Sequence, residues 1–272
     1  MIDTSERLRF DKVCRAVAAE GLEGSVIGTM SEKRMHKTLK RYICPDESFH
    51  EARIKPSGEA FFSGKESGRG GFIADICVDG DIFEIQTGGF YPLKEKIGFY
   101  LDNTDFTVTV VHPLIAEKWS VWIDPETGET TPRRRSPKRE KPTDLLPELF
   151  WLAEYLGNDR LRFCFPVIEA EEYRLLDGYG RDKKKRATRY ERMPVSLIDE
   201  IDIGGDELSR LLPKALPREF TAAEFGKLTG LRGRRAYYAL KLLCLTGKAE
   251  KGEKVGRSYV YRMYTREEDD DR

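Results

Sequence analysis

Long hydrophobic runs are missing from this sequence. No stretch of about 18 apolar residues occurs, and the opening MIDTSERLRFDKVCRAVAAEGLEG is charged throughout, so neither a membrane-spanning helix nor a secretory signal is in view. The expectation is a soluble cytoplasmic protein. Cysteine is sparse: five in 272 residues, at 14, 44, 77, 164 and 244, odd in number and without CxxC or Cys/His spacing. They read as reduced core residues rather than disulfide partners or zinc ligands. An excess of one charge is also missing, because 47 basic and 47 acidic residues cancel. Bulk charge therefore announces no polyanionic partner, and the distribution of charge matters more. No internal repeat is evident, and there is no aromatic stacking motif of the RNA-recognition-motif type.

What is present can fill a core. Hydrophobic residues make up 39% of the chain, with three Trp, 12 Tyr and 14 Phe. A helix is expected over 5–19, then a Gly-containing break. Thr29 or Ser31 is placed to cap a second helix, EKRMHKTLKRYI, whose Met35, Leu39 and Ile43 form a buried stripe. Beside that stripe Glu32, His36 and Lys40 repeat at the same spacing, a polar line along its edge. A strand follows at 48–56, and the Gly-rich stretch 63–71 reads as a loop that would also let a phosphate backbone approach. Leu93, Ile97 and Leu101 mark a helix over 91–103, and the β-branched run at 105–114 a buried strand. His50 and His112 have no spaced partners and read as structural.

Between these elements lies GFIADICVDGDIFEIQTGGF, residues 71–90. Asp79-Gly80 tolerates the positive φ angles of a two-residue hairpin turn, which sets Val78 against Asp81, Cys77 against Ile82, Ile76 against Phe83 and Asp75 against Glu84. Opposed residues share a face with Cβ atoms roughly 4.5–5.5 Å apart, so two carboxylates are pressed together, with Gln86 on the same side. Like charges so placed destabilise a sheet. Either they form a solvated face whose acids titrate or find a lysine, or a divalent cation, Mg²⁺ or Mn²⁺, relieves the repulsion.

Further along, EKWSVWIDPETGETTP reads as a hairpin turning at 126–128, and RRRSPKREK (133–141) carries six basic residues against one acid. A helical pattern covers 144–157 and tolerates Pro147 near its start. Residues 161–176 read as a long strand or extended pair, GRDKKKRATRYER (180–192) as a second basic run, and MPVSLIDEIDI as another strand. From about 205 the pattern becomes three short helices and a hairpin, the order of a winged helix-turn-helix. Thr221 is the expected cap and Gly230 the turn, and the third helix, from near Leu231, buries Ala236, Leu240 and Leu243. Arg232, Arg234 and Arg235 crowd its first turn, an unfavourable end of the helix dipole for cations unless they face phosphate. With Lys241, Lys254 and Arg257 they form the expected DNA-binding set. The bland alternative is a winged helix that docks protein, a partner or a second copy.

ADICVDGDIFEIQT, preceded by a helix with Glu32 and His36 and followed by a helix and a strand, resembles the PD-(D/E)xK nuclease superfamily. The closest likeness is to its Glu-x-Gln variant, as in CoiA-type competence nucleases, and it covers roughly 29–114. The resemblance implies that Glu32, Asp75 and Glu84 hold a divalent metal, and that Gln86 helps position the attacking water. Because Gln86 is neutral at every pH, a proton acceptor would have to be the metal, bulk water or a displaced lysine such as Lys55 or Lys94. His36 and Lys40 would stand behind the metal ligands or touch phosphate.

The expected fold is α/β: a restriction-endonuclease-like mixed sheet flanked by helices, plus a C-terminal winged-helix domain. The expected division is a nuclease-like core at 1–115, a basic β-rich extension at 116–204, the winged helix at 205–265 and a disordered acidic tail at 266–272. The expected function is a Mg²⁺- or Mn²⁺-dependent DNA nuclease, against a rival in which the nuclease fold is catalytically silent and the chain is a DNA-binding or adaptor protein.

Overall fold

The computed structural model describes residues 2–20, 33–62, 70–180, 185–256 and 258–264. The expectations placed on Thr29, Ser31, Glu32, most of the Gly-rich stretch, residues 181–184, Arg257 and the acidic tail fall outside these.

Helix α1 (Thr4–Glu20) buries Phe10, Cys14 and Val17, an i, i+4, i+7 stripe. Helix α2 (Lys33–Ile43) buries Met35, Leu39 and Tyr42 in the same spacing, while Ile43, expected inside, is only half-buried. Strands β1 (His50–Ile54) and β2 (Ala60–Phe61) precede the hairpin of β3 (Phe72–Val78) and β4 (Asp81–Ile85). At its turn Asp79 and Gly80 have φ of 50° and 85°, the left-handed pair that a two-residue loop requires, and β3 and β4 pair as Val78↔Asp81, Cys77↔Ile82 and Ile76↔Phe83. Helix α3 (Leu93–Asn103) buries Leu93, Ile97, Tyr100 and Leu101, and its chain returns as β5 (Thr107–Val111), parallel to β4. This βαβ crossover lays α3 against the sheet.

Strand β6 (Leu114–Ile123) continues β5 after a break at His112-Pro113. Both run parallel to β8 (Leu161–Leu175), β5 along 161–164 and β6 along 167–175. Pro113 and Pro166 fall at the break, where neither has an N–H to give to the ladder. On the far edge β4 accompanies β5, whereas the short β7 (Arg134–Arg135) accompanies β6, so the edge of the strand is uncovered between them. The turn expected at 126–128 is present, with Gly128 at φ 72° and a bridge from Ile123 to Thr130. Strand β9 (Thr188–Gly204) runs antiparallel to β8 along its whole length. The result among the described residues is one nine-stranded mixed sheet.

Segment 144–157 is not the single helix its pattern suggests. It is a chain of short turns: a 3-10 turn at Pro142–Leu145, α4 (Leu146–Leu149) and a second 3-10 turn at Phe150–Leu152. Prolines at 142 and 147 can start a helical turn but cannot donate within one. Its Leu145, Leu146, Leu149, Leu152 and Leu156 are still buried together, in the cluster that also holds Ile97 and Tyr100 of α3. A second cluster, with Phe10, Met35, Leu39 and Tyr42, occupies the other face under α1 and α2. The chain is thus of α/β class, a mixed sheet with helices on both faces.

After a 3-10 turn at Leu208–Leu211, where a short helix was expected, come β10 (Glu219–Thr221), α5 (Ala222–Thr229), α6 (Arg234–Leu245), β11 (Ala249–Val255) and β12 (Ser258–Met263). Thr221 and Glu224 form a capping box, and Gly230 ends α5 at φ 84°. Helix α6 buries Ala239, Leu240, Leu242 and Leu243, leaving Ala236 half-buried, so the buried face is rotated from the expected one. The strands form a separate three-stranded sheet, β10-β12-β11. This unit shares the larger core cluster: Tyr238 stacks on Phe150 at 4.8 Å, and Thr143 Oγ1 donates to the Thr229 carbonyl.

Candidate active site

The hairpin carries Asp75 and Glu84 to one cavity of about 460 Å³, shared with His36, Gln86, Thr87, Gly88 and Lys96. Beyond Ile76↔Phe83 no further β3–β4 pair forms. Instead the Ile85 N–H donates to Asp75 Oδ2 at 2.8 Å, so Asp75 takes over a backbone bond where the two strands part. From α2, His36 Nε2 lies 3.2 Å from the same Oδ2. Burial would raise the Asp75 pKa, but His36 and the Ile85 N–H outweigh it and hold the carboxyl below its usual range.

Glu84 is sealed on the α3 side, 2% exposed. Lys96 Nζ donates to its Oε2 at 2.6 Å and the Tyr100 hydroxyl to its Oε1 at 3.0 Å. Lys96 and Tyr100 are one helical turn apart, so both point at the same group. The Glu84 pKa is pushed up to about 7, chiefly by burial, with Asp75 adding to the effect and Lys96 opposing it. The same environment raises the Tyr100 hydroxyl, first by burial and then through the Glu84 charge. The face is not solvated, since both acids are largely buried, but the acids have found partners as the bland reading allows: Lys96 and Tyr100 on Glu84, and His36 on Asp75.

The loop after β4 is fixed from within. Gln86 Nε2 donates to the Gly89 carbonyl at 2.5 Å, and His112 Nδ1 donates to the Gln86 carbonyl at 2.5 Å. Burial lowers the His112 pKa to about 4, so this imidazole is neutral at physiological pH.

Other expected site residues lie elsewhere. Lys94 pairs with Glu154 at 3.0 Å, and Lys55 covers the Phe61 ring at 3.7 Å. Neither lines the cavity; Lys94 is two residues from Lys96 on α3 and so lies on the nearly opposite side of the helix. Lys40 is held by Glu51. Lys96 is the lysine that reasoning from sequence missed. Its place beside the buried 93, 97, 101 stripe on α3 is one that a solvent-facing lysine would equally occupy. Of the C-terminal set, Arg235 is bound to Asp144 at 2.9 Å, Lys241 sits 5.4 Å from the Phe150 ring centre and Lys254 4.9 Å from that of Tyr259. Arg232 and Arg234 are exposed.

Two carboxylates converging on one cavity are a hard oxygen donor set that fits Mg²⁺ or Mn²⁺. Among the described residues, three potential ligand atoms lie mutually within 4.8 Å only at Cys164, Glu200 and Asp202 across β8 and β9, where the thiol makes a poor donor for either ion.

Fold and cavity together define an α/β protein whose hairpin brings two largely buried carboxylates to one cavity, Glu84 paired with Lys96 and Asp75 with His36. Residues 59–204 match the family described as a domain of unknown function, DUF8091, and as the match covers more than half of the chain, the chain belongs to that family. The matched region contains Asp75, Glu84, Gln86 and Lys96, and excludes His36 and the C-terminal unit. No curated protein and no solved structure matches the chain.

Proposed function

We propose that this chain is a metal-dependent nuclease of PD-(D/E)xK type, with a restriction-endonuclease-like core and a C-terminal winged helix that contacts DNA. The observation that carries the reading is the meeting of Asp75, Glu84, Gln86 and Lys96 in one cavity, with Lys96 Nζ 2.6 Å from Glu84. Asp75 and Glu84 would hold Mg²⁺ or Mn²⁺, with Glu32 as the third ligand that the resemblance implies. When bound, the cation supplies charge for the phosphoryl oxygen and lowers the pKa of a water nucleophile. Lys96 replaces the lysine that the Glu-x-Gln pattern lacks: reaching Glu84 from α3, it is placed to hold the attacking water or a phosphate oxygen. Glu84, whose pKa burial pushes up to about 7, would meet the cation as a full carboxylate ligand above neutrality. Gln86 orients water by hydrogen bonding, and His36 fixes the Asp75 carboxylate. In the C-terminal unit the order of α5, α6 and the β11–β12 hairpin supports the winged-helix assignment, and exposed Arg232 and Arg234 are its phosphate contacts.

The rival reading is a silent nuclease fold acting as a DNA-binding or adaptor protein. It is favoured by one observation: Lys96 and Tyr100 already occupy both oxygens of Glu84. Incubating plasmid and oligonucleotides with the full chain and Mg²⁺ or Mn²⁺ separates the two. Cleavage is expected in wild type and lost in Lys96→Met, with Mn²⁺ binding retained in that variant. Metal binding by wild type without cleavage of any DNA form would establish the silent fold.

A further inference from the structure

The largest cavity described, about 1070 Å³, opens where the edge of the β5–β6 strand is uncovered. Its walls come from β6, β8, β9, the basic segment 137–140 and Arg235 of α6, and Gly88 lines both this cleft and the Asp75–Glu84 cavity, so the two adjoin. In a chain whose total charge is zero, seven Lys and Arg against four Asp and Glu line this one hollow.

The arrangement of those charges is specific. At the floor Glu172, 5% exposed, is shared by Lys118 at 3.4 Å, Arg174 at 3.3 Å and Arg192 at 3.0 Å. Three cations on one carboxylate leave an uncancelled positive charge in a partly desolvated place. Arg174 Nε is buried there, and its 3.3 Å approach to Glu172 Oε1 lacks hydrogen-bond geometry, so the carboxylate satisfies it poorly. The other acids are committed: Glu140 accepts from the Ile115 N–H, Glu148 from the Phe90 N–H, and Asp144 pairs with Arg235. At the rim Lys138, Arg139 and Arg189 are exposed and make no ion pair among the described residues. Tyr179 stands beside them, 87% exposed, an aromatic ring left in water.

We propose that this cleft is a channel for a single-stranded polynucleotide, its phosphates on Lys138, Arg139 and Arg189 and a base on Tyr179, leading toward the Asp75–Glu84 cavity. The direction of the channel rests on the nuclease reading; the binding does not. A basic groove with an aromatic platform is how single strands are held without sequence preference. The rim cations are open to either form, but the convex face of a duplex cannot bring a phosphate to Lys118, Arg174 and Arg192 at the floor, whereas a flexible strand can enter.

Fluorescence anisotropy of the full chain in EDTA, which excludes cleavage, tests this with labelled oligothymidylate, oligouridylate and a blunt duplex. At least one single strand should bind about tenfold or more tightly than the duplex, and the tighter one identifies the strand as DNA or RNA. The triple variant Lys138→Ala, Arg139→Ala, Arg189→Ala should weaken binding at least about tenfold and lower the salt slope by about 2, at ~0.7 per lost phosphate contact. Tyr179→Ala should cost about tenfold and Tyr179→Phe nearly nothing, because the π-face is what binds. Equal or tighter duplex binding, or an unchanged slope in the triple variant, would overturn the channel. Strand binding without metal-dependent cleavage would leave the channel standing and remove the nuclease; cleavage indifferent to the cleft variants would do the reverse.

Discussion

Glu84 and Glu172 are almost equally sealed from water, at 2% and 5% exposure, yet their pKa values move in opposite directions. Burial pushes both up. At Glu84 one cation, Lys96, is offset by a neighbouring carboxylate, Asp75, and burial prevails. At Glu172 Lys118, Arg192 and Arg174 together overcome burial and hold the carboxyl below its usual range. Glu191, 6% exposed and facing Arg34 alone, is raised as well. Glu84 also lies deeper in the protein than Glu172, so depth adds to its shift, whereas between Glu172 and Glu191 the number of opposing charges decides the state of the acid. Glu84 is thereby poised to exchange a proton near neutrality, and Glu172 is a permanent countercharge that keeps the basic floor together.

The largest effect that would sharpen this contrast is on stability. Glu172→Gln strands three cations and should cost about 3–5 kcal/mol, a fall in Tm on the order of 10 °C. Because the folded pKa is depressed, that contribution is present above the ordinary carboxylate range and is lost as pH falls through the lowered value. The penalty of the substitution should therefore vanish in acid. A penalty that persists in acid would show Glu172 to be a packing residue rather than a countercharge.

Glu84→Gln should act in the opposite sense and less strongly. A folded pKa of about 7 against 4.5 means that the native state binds the extra proton between those values, so wild type loses stability as pH rises through that window. The loss is at most about 3 kcal/mol and is flat above it. The Gln variant should match wild type below the window and exceed it above neutrality in thermal melts. Equal destabilisation at every pH would break the comparison.

The hairpin was legible in the sequence because a two-residue Asp-Gly loop leaves only one register, and α3 because Leu93, Ile97 and Leu101 share one face. Lys96 was not, since a lysine beside a buried stripe is usually solvent-facing, and only the depth of Glu84 beneath the helix turns it inward. The basic floor was less legible still: Lys118, Glu172, Arg174 and Arg192 come from β6, β8 and β9, and their meeting depends on the pairing of strands far apart in sequence. In the C-terminal unit the turn chemistry of Thr221 and Gly230 could be read directly, whereas the seating of Arg235 and Tyr238 against 144–151 could not, because it is a tertiary contact between segments that each look complete alone.

Calorimetric titration of Mn²⁺ into the full chain at about pH 8 and about pH 5.5 tests the central assignment most directly. If Glu84 is the proton-exchanging ligand, binding should be tight at the higher pH, several-fold weaker at the lower, accompanied by proton release that scales with the ionisation heat of the buffer, and abolished in Glu84→Gln. Equal Mn²⁺ binding by Glu84→Gln, or none by wild type at about pH 8, would contradict it.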